Sequence, residues 1–435
     1  MKKILMAILL GFVILSLSCS WDNNDDGPKS MEDLEVDPYF PFNTDRQVSI
    51  DISGPLNTDC EFYLEYNGEF DPENPDTTLL EELIIETETD SIDGTFTCEF
   101  PIPTYKNNIY LKYFDEIKEL TIHNLDGQTG EIIDSFSVPE KWKGKNFESK
   151  CFAIWYYYPS RNSFGTLMFE DLWPSKGDYD MNDLVVDYKM IEKYYRRPYF
   201  HVPGIGWFYR IYAIEATFRL RAVGAGYTLA FAMQLPNLCS ISGEVTSDLP
   251  QGITIETDNN TLILVGDAHD AFDSSLSGSW INTNESDPYY PIVEFTVNIP
   301  IEYVPASDPA WSQWDNDRLN PIYNPPYNPF IYPQGNRDQE IHLSNYPPTD
   351  SMNYALFGTG DDASDPQNEI YYKTSNGLPW AVHITKSTVY PIETKQITSA
   401  FLYFGEWAES GGSSHDDWYE DNSGYRDNSN IYSAP

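Results

Sequence analysis

Positive charge, cysteine and histidine are all scarce in this chain of 435 residues. It has 26 Lys and Arg against 68 Asp and Glu, so its formal net charge at pH 7 is −42. A nucleic acid would be repelled by such a surface, which excludes it as an expected partner. The cysteines form no CxxC pair and the six histidines are scattered singly, so the sequence contains no pattern typical of a zinc site.

Recognisable catalytic motifs are also lacking. The sequence contains no nucleophile elbow, no HExxH and no phosphate-binding glycine loop. Among so many acidic residues, a catalytic carboxylate pair has no distinguishing pattern. We therefore expect a binding protein that is not an enzyme, and a glycoside hydrolase is the least favoured alternative.

The first residues, MKKILMAILLGFVILSLSCS, combine a basic start with a short apolar run over residues 4–17. That run is shorter than the roughly 20 residues that a membrane-spanning helix needs. Residues 1–18 are therefore predicted to be an export signal that is removed. The rest of the sequence contains no second run of membrane-spanning length, so the protein is expected not to cross a membrane.

The stretch LSLSC resembles a bacterial lipoprotein signal, in which the cysteine becomes the lipidated first residue. The acidic run that follows it, residues 20–26, is similar to the tether of surface-exposed Bacteroidota lipoproteins. The resemblance implies lipidation of Cys19, a tether over residues 19–40, and attachment to the outer membrane facing the cell surface. Two or three acyl chains anchor a protein stably, whereas a single chain does not.

The remaining cysteines leave the disulfide pattern open. Cys60, Cys98, Cys151 and Cys239 allow three pairings. An exported protein can keep disulfides, and Cys60 and Cys98 both lie in strand-like sequence, where they could form a bridge. Buried thiols fit these positions equally well.

The composition favours β-structure with long loops. Tyr is abundant, with 32 residues, and Pro is frequent, with 31; Tyr favours strands, whereas Pro disfavours helix interiors. Runs of alternating apolar and polar residues predict an all-β protein. We expect an N-terminal β-sandwich over residues 41–140, a linker over 141–150 and a larger, jelly-roll-like β-sandwich with long loops over 151–435.

Three stretches need a specific prediction. LLEELIIETETD, residues 79–90, could begin a helix, but we favour a strand. AFLYFGEW, residues 400–407, is also predicted as strand-like sequence. Residues 305–335 are rich in Pro, Asn and aromatic residues, which is typical of irregular loop.

One turn crowds carboxylates between apolar flanks. In GDYDMND, residues 177–183, the side chains of Asp178, Asp180 and Asn182 alternate and are predicted to point to one side. Oxygen ligands of this kind suit calcium, which takes six to eight oxygens. Glu170 and Asp171 could complete the ligand set, and Asp183 could bind directly or support the ligands.

An EF-hand does not fit this turn. Counted from Asp178, position six is Asp183 and position twelve is Lys189, where the motif requires Gly and Glu. The alternatives are a calcium site in a β-loop or an acidic turn that binds nothing. The apolar flanks, residues 172–173 and 184–186, should hold the turn against a core, which favours calcium.

Several motifs in order resemble the LruC domain of exported Bacteroidota lipoproteins. They are FEDLWPSKGDYDMNDLVVDY (169–188), ATFRLRAVGAGYTLAFAMQLP (216–236), NPFIYPQGNRDQEIHLSNYPPTD (328–350), NGLPWAVHI (376–384) and FGEWAESGGSSHDDWY (404–419). The resemblance covers roughly residues 165–435 and implies an outer-membrane or surface lipoprotein. It implies no reaction.

Two hypotheses describe what the protein binds besides the membrane. The leading hypothesis is a surface binding or adhesion protein with a calcium-stabilised β-domain, whose ligand would be an extracellular protein or glycan. The alternative is a carbohydrate-binding protein that stacks sugars on loop aromatics. The candidate aromatic residues are Trp311, Trp314, Tyr327 and Trp418, with Tyr323 and Tyr332 as further candidates.

Overall fold

The fold is all-β, as the alternating sequence pattern predicts. The computed structural model describes residues 28–72, 75–89, 93–125, 129–143, 153–198, 207–236, 241–249, 256–258, 260–272, 280–301 and 324–434. Cys19, Cys151, Cys239, Trp311, Trp314 and Tyr323 lie outside the described residues.

The strands form two groups along the chain, one before and one after the predicted linker at residues 141–150. Before it lie β1 (Asp45–Ser53), β2 (Asp59–Tyr66), β3 (Leu80–Glu88), β4 (Thr95–Pro103), β5 (Asn108–Tyr113), β6 (Glu116–Thr121), β7 (His123–Asn124) and β8 (Thr129–Ser135). After it lie β9 (Ala153–Tyr158), β10 (Gly165–Phe169), β11 (Leu184–Pro198), β12 (Trp207–Ala222), β13 (Leu229–Gln234), β14 (Thr246–Ser247), β15 (Glu256–Asp258), β16 (Thr261–Val265), β17 (Val293–Pro300), β18 (Asn328–Pro333), β19 (Ile341–His342) and β20 (Ala381–Ile384).

The helices are short. Within the described residues, the α-helices are α1 (Ala268–Phe272), α2 (Ile397–Ala400) and α3 (Phe404–Glu409). Single 3-10 turns occur at Met31–Asp33, Thr77–Leu79, Glu140–Trp142, Tyr354–Leu356, Pro366–Asn368 and Asn428–Asn430.

The strands form three sheets. A four-stranded sheet has the order β4-β1-β8-β7, and a five-stranded sheet has the order β15-β16-β13-β18-β19. The third is an 11-stranded sheet whose main path is β14-β17-β12-β11-β9-β3-β2-β5-β6, with β10 pairing with β11 and β20. The four-stranded sheet faces β2 of the large sheet, since the rings of Phe62 and Phe96 lie 5.5 Å apart. The expected N-terminal sandwich is therefore present.

The two halves of the chain are not separate, contrary to the expected boundary at residues 141–150. Strand β3 pairs with β9 across the linker, with Ile85 opposite Tyr156. The ring of Phe100 in β4 stacks on Tyr158 in β9 at 4.7 Å. A single apolar cluster contains buried residues from both halves. The sequence could not reveal this arrangement, because the period of each strand is the same whichever neighbour it pairs with.

The N-terminal segment of the described chain is packed, although a flexible tether was predicted over residues 19–40. We call residues 28–42 the strap. Met31, Leu34 and Phe42 in the strap are fully buried against the cluster that contains Phe404 and Trp407. Lys29 also forms an ion pair with Glu409 at 2.7 Å. Any flexible tether is therefore shorter than predicted and ends before the strap.

The structure confirms the prediction for one of the three individually predicted stretches and differs from the prediction for the other two. The prediction of a strand over residues 79–90 is confirmed by β3. The prediction for residues 400–407 is wrong, because α3 begins at Phe404 and buries Phe404, Trp407 and Ala408 at helical spacing. Strand β18 lies within the predicted loop of residues 305–335. Cys60 and Cys98 are not joined in a disulfide.

Candidate metal centre

The acidic turn connects β10 to β11. These strands pair antiparallel with Phe169 opposite Leu184, so residues 170–183 form the loop of a hairpin. The flank of the turn is anchored by Trp173, which is fully buried and donates an N–H hydrogen bond to Asp362 Oδ1 at 2.9 Å. The backbone N–H of Glu170 also donates to the oxygen of Trp380 at 2.9 Å. The turn is therefore held against the core by Trp173 and residues 184–186, whereas Leu172 in the predicted flank is 42 % exposed.

Apolar and polar side chains alternate over residues 178–182 of the turn, but both kinds are buried, and only Asp178 is exposed. Tyr179 and Met181 are buried in the apolar cluster that also holds the strap. Both adopt a positive φ, 63° and 54°, which is uncommon for side chains of this size and is maintained here by packing. Asp178, which precedes Tyr179, and Asp180, which lies between Tyr179 and Met181, each bring a carboxylate oxygen close to Glu170. One oxygen from each of Glu170, Asp178 and Asp180 lies within 4.8 Å of the others.

Backbone N–H groups fix several of these carboxylates. Glu170 Oε1 accepts from the N–H of Met181 at 2.7 Å, and Asp183 Oδ2 accepts from the N–H of Asp171 at 2.7 Å. Asp180 Oδ1 accepts from the N–H of Asn182 at 3.1 Å. These bonds set the directions of the carboxylate groups before any ligand arrives.

Other oxygens in the same place are buried without a hydrogen-bond partner among the described residues. They are Glu170 Oε2, Asp171 Oδ2, Asn182 Oδ1 and Glu393 Oε2. Glu170 and Asn182 are fully buried, and Asp171 is 5 % exposed. Unsatisfied buried acceptors are costly, by about 1–3 kcal/mol each and more when charged. A cation is the group that would satisfy several oxygens together.

Glu393 is the residue of this centre that sequence reasoning missed. It follows β20 by several residues, and its Oε2 would lie 3.1 Å from a Cβ placed on Gly224. Asn182 Oδ1 would lie 2.1 Å from the same Cβ, so the two oxygens face the same glycine. Glu393 occurs in the sequence TVYPIETKQ, which has no acidic pattern, so no local signal could have identified it.

The protonation of the cluster reflects its burial. Burial raises the pKa of Glu170 to about 8, with the nearby Asp178 and Asp171 adding to the rise. Burial, reinforced by Glu170 and Asp178, raises the pKa of Asp180 to about 9. The pKa of Asp171 rises to about 6 and that of Glu393 to about 7, again chiefly through burial. The pKa of Asp183 also lies well above its usual range because of burial and the neighbouring carboxyls.

These residues fit a hard cation. The donors are carboxylate and amide oxygens, with no histidine or cysteine among them, which suits calcium or magnesium and not zinc. The number of available oxygens and their irregular placement favour calcium, because magnesium requires a near-octahedral set and retains several waters. The predicted residues Glu170, Asp171, Asp178, Asp180, Asn182 and Asp183 all belong to this one loop.

The predicted sugar-stacking aromatics have a different outcome. Tyr327 is fully buried and its hydroxyl donates to Glu192 Oε1 at 2.8 Å. Trp418 is fully buried too, with its ring 5.3 Å from that of Trp407. Neither residue presents a ring face to a sugar, so the prediction is wrong for both. Their rings bury large apolar areas in the core, although the surrounding sequence reads as loop.

Comparison with known proteins found one matching family and one similar solved structure. Residues 210–419 match a family described as "Domain of unknown function (DUF4842)". This match includes Glu393 and begins after the acidic turn. No curated protein matches the chain.

A solved structure shares the fold. It is described as a "Putative lipoprotein" from Bacteroides ovatus, and it is 17 % identical in sequence with a TM-score of 0.58. The similarity covers 87 % of this chain and 100 % of that chain. At this identity the likeness concerns the fold alone. Among the described residues, no helix has the length and apolar character needed to cross a membrane.

Proposed function

We propose that this protein is a lipid-anchored binding protein whose β-fold is stabilised by calcium at the acidic turn. The observation that carries the calcium proposal is the cluster of Glu170, Asp178 and Asp180, whose oxygens lie within 4.8 Å of one another, together with the buried and unpartnered Oε2 of Glu170. Bound calcium would compensate carboxylates that otherwise repel one another or retain protons.

A structural role for the ion is supported by what surrounds it. Asp180 is 2 % exposed, and its Oδ2 accepts a hydrogen bond from the N–H of Thr394 at 2.7 Å. The cluster thus joins the β10–β11 loop to a segment more than 200 positions further along the chain. An ion in this place would tie the two segments together.

Thermal unfolding of the full chain in detergent tests the calcium proposal. Calcium at a hundred times its dissociation constant should add about 2.7 kcal/mol to the free energy of unfolding, because it binds the folded state alone. Asp180→Ala should remove most of this gain, and the exposed Glu285→Gln should keep it. A wild-type melting temperature that changes neither with added calcium nor with chelator would refute the proposal.

The lipid anchor is proposed on separate grounds. The order of basic start, apolar run and LSLSC supports lipidation of Cys19, and the fold similarity to a "Putative lipoprotein" agrees with it. The LruC-like motifs support a place on the outer membrane with the β-fold at the cell surface. Cys19→Ala should move the protein out of the membrane fraction, with Ser20→Ala as the control. An unchanged membrane fraction for Cys19→Ala would contradict the anchor.

Separate experiments test whether the protein is exposed at the cell surface and what it binds there. Protease added to intact cells should digest a surface-exposed protein and spare a periplasmic one. The extracellular ligand is proposed to be a protein or glycan that is bound and not cleaved. A glycan-array screen with and without calcium, run beside hydrolysis assays, separates a binder from a glycoside hydrolase.

A further inference from the structure

We infer that the acidic centre holds two calcium ions, one between Glu170, Asp178 and Asp180 and a second between Asn182 and Glu393. This inference rests on the calcium site proposed above. The first position is the carboxylate group whose oxygens lie within 4.8 Å of one another. The second position is on the side of Gly224, where Asn182 and Glu393 meet.

The second position is a formed site. The side-chain N–H of Asn182 donates to the backbone oxygen of Pro391 at 3.2 Å, which fixes the amide so that Oδ1 points away from it. Asn182 Oδ1 has no hydrogen-bond partner among the described residues, although Asn182 is fully buried. The backbone N–H of Glu393 donates to the oxygen of Thr283 at 3.0 Å, which fixes the main chain that carries the second acceptor.

The two proposed ion positions lie beside different glycines, Gly177 and Gly224. Glu170 Oε2 would lie 1.7 Å from a Cβ on Gly177, whereas Asn182 Oδ1 and Glu393 Oε2 surround the Cβ position of Gly224. Asp180 links the two positions, because its Oδ1 accepts from the N–H of Asn182 and its Oδ2 from the N–H of Thr394. At each glycine the missing Cβ makes room for an oxygen, which is Glu170 Oε2 at Gly177 and Asn182 Oδ1 at Gly224.

Charge balance favours two cations over one. The carboxyl groups that gather here are those of Glu170, Asp171, Asp178, Asp180, Asp183 and Glu393. One dication at Glu170, Asp178 and Asp180 leaves the carboxyl group of Glu393 and the buried oxygen of Asn182 without a positive partner. A second dication beside Gly224 would supply that partner.

The test counts metal ions on the full chain. The protein is purified in detergent, dialysed against calcium and then against calcium-free buffer, and its bound calcium is measured by atomic spectrometry. Two ions per chain are expected in the wild type and in Glu285→Gln, which changes an exposed carboxylate outside the cluster. One ion is expected in Glu393→Gln and one in Asp178→Asn.

The outcomes separate this inference from the proposed function. No bound calcium in the wild type overturns both. One ion in the wild type supports the calcium site and overturns the second position. Two ions in Glu393→Gln, or none, would overturn the assignment of Glu393 to a separate second position. Circular dichroism spectra that match the wild type confirm that each variant is folded when it is counted.

Discussion

The side-chain amide of Asn182 donates a hydrogen bond to the backbone oxygen of Pro391, 3.2 Å away and 209 positions later in the chain. This bond brings the acidic turn against the segment that carries Glu393. The oxygen on the same amide is left buried and unpartnered, and it faces Glu393 across Gly224. Asn182 therefore links two distant segments of the chain, and its amide oxygen is free to serve as the proposed metal ligand.

The first prediction concerns Gly224. Gly224→Ala should weaken calcium binding by about tenfold or more, because its Cβ would lie 2.1 Å from Asn182 Oδ1 and 2.9 Å from the Asn182 backbone oxygen. Overpacking of this kind costs about 1–3 kcal/mol, and 1.4 kcal/mol corresponds to a factor of about ten in affinity. Gly226→Ala is the matched control, since no heavy atom lies within 4 Å of its Cβ position. Calorimetric titration with calcium measures both, and equal affinities would count against the centre described here.

The second prediction concerns the strap. Leu34→Ala should lower the free energy of unfolding by about 2–5 kcal/mol, because Leu34 is fully buried and its removal leaves a cavity. Tyr39→Ala is the control in the same segment, since Tyr39 is 59 % exposed. Urea unfolding of the full chain measures the difference. A flexible tether would make both variants equal to the wild type.

The third prediction concerns the boundary between the two halves. Protease cleavage within residues 144–152 should leave two fragments that remain associated, because β3 pairs with β9 and Phe100 stacks on Tyr158 across the cut. Size-exclusion chromatography of the nicked protein should give one peak that contains both fragments. Two peaks, each with a folded fragment, would instead support the independent domains expected from the sequence.

The fourth prediction concerns the dependence of stability on pH. His383 in β20 is 2 % exposed, its Nε2 lies 2.6 Å from the hydroxyl of Tyr188, and burial lowers its pKa to about 3. The folded state therefore binds fewer protons at this site than the unfolded state, whose histidine titrates near pH 6.5. The contribution of neutral His383 to the free energy of unfolding is fully present above pH 6.5. It is lost as the pH falls towards 3, by up to about 1.4 kcal/mol per pH unit.

The variant His383→Gln isolates this contribution. It should flatten the fall in stability between pH 6.5 and pH 4, relative to the wild type, because glutamine does not titrate. Chemical unfolding at several pH values, in the presence of chelator so that calcium binding does not interfere, measures the two slopes. Parallel slopes would show that His383 is already protonated in the folded protein or remains accessible to solvent.

The sequence predicts the local features of this protein well. The alternation of Asp178, Asp180 and Asn182 with Tyr179 and Met181 needs only a two-residue period, and the structure buries the apolar members of that pattern. The sequence of the long strand β12 alternates apolar and polar residues in the same way. In both cases the signal lies within a few neighbouring residues.

The features that the sequence does not predict depend on distant contacts. Glu393 reaches the acidic turn only through tertiary packing, so its role leaves no local pattern. Helix α3 spans too few residues for its period to stand out from strand alternation. In the strap, the buried residues are separated by exposed acidic residues such as Glu32 and Glu35, and the segment therefore reads as a solvated tether.

The most direct test of the calcium centre is a crystal structure of the protein grown with calcium, with diffraction recorded at a long wavelength where calcium scatters anomalously. The account predicts an anomalous peak contacted by oxygens of Glu170, Asp178 and Asp180, and a second peak between Asn182 and Glu393. An anomalous map without a peak among these residues, at a calcium concentration well above the physiological range, would contradict it.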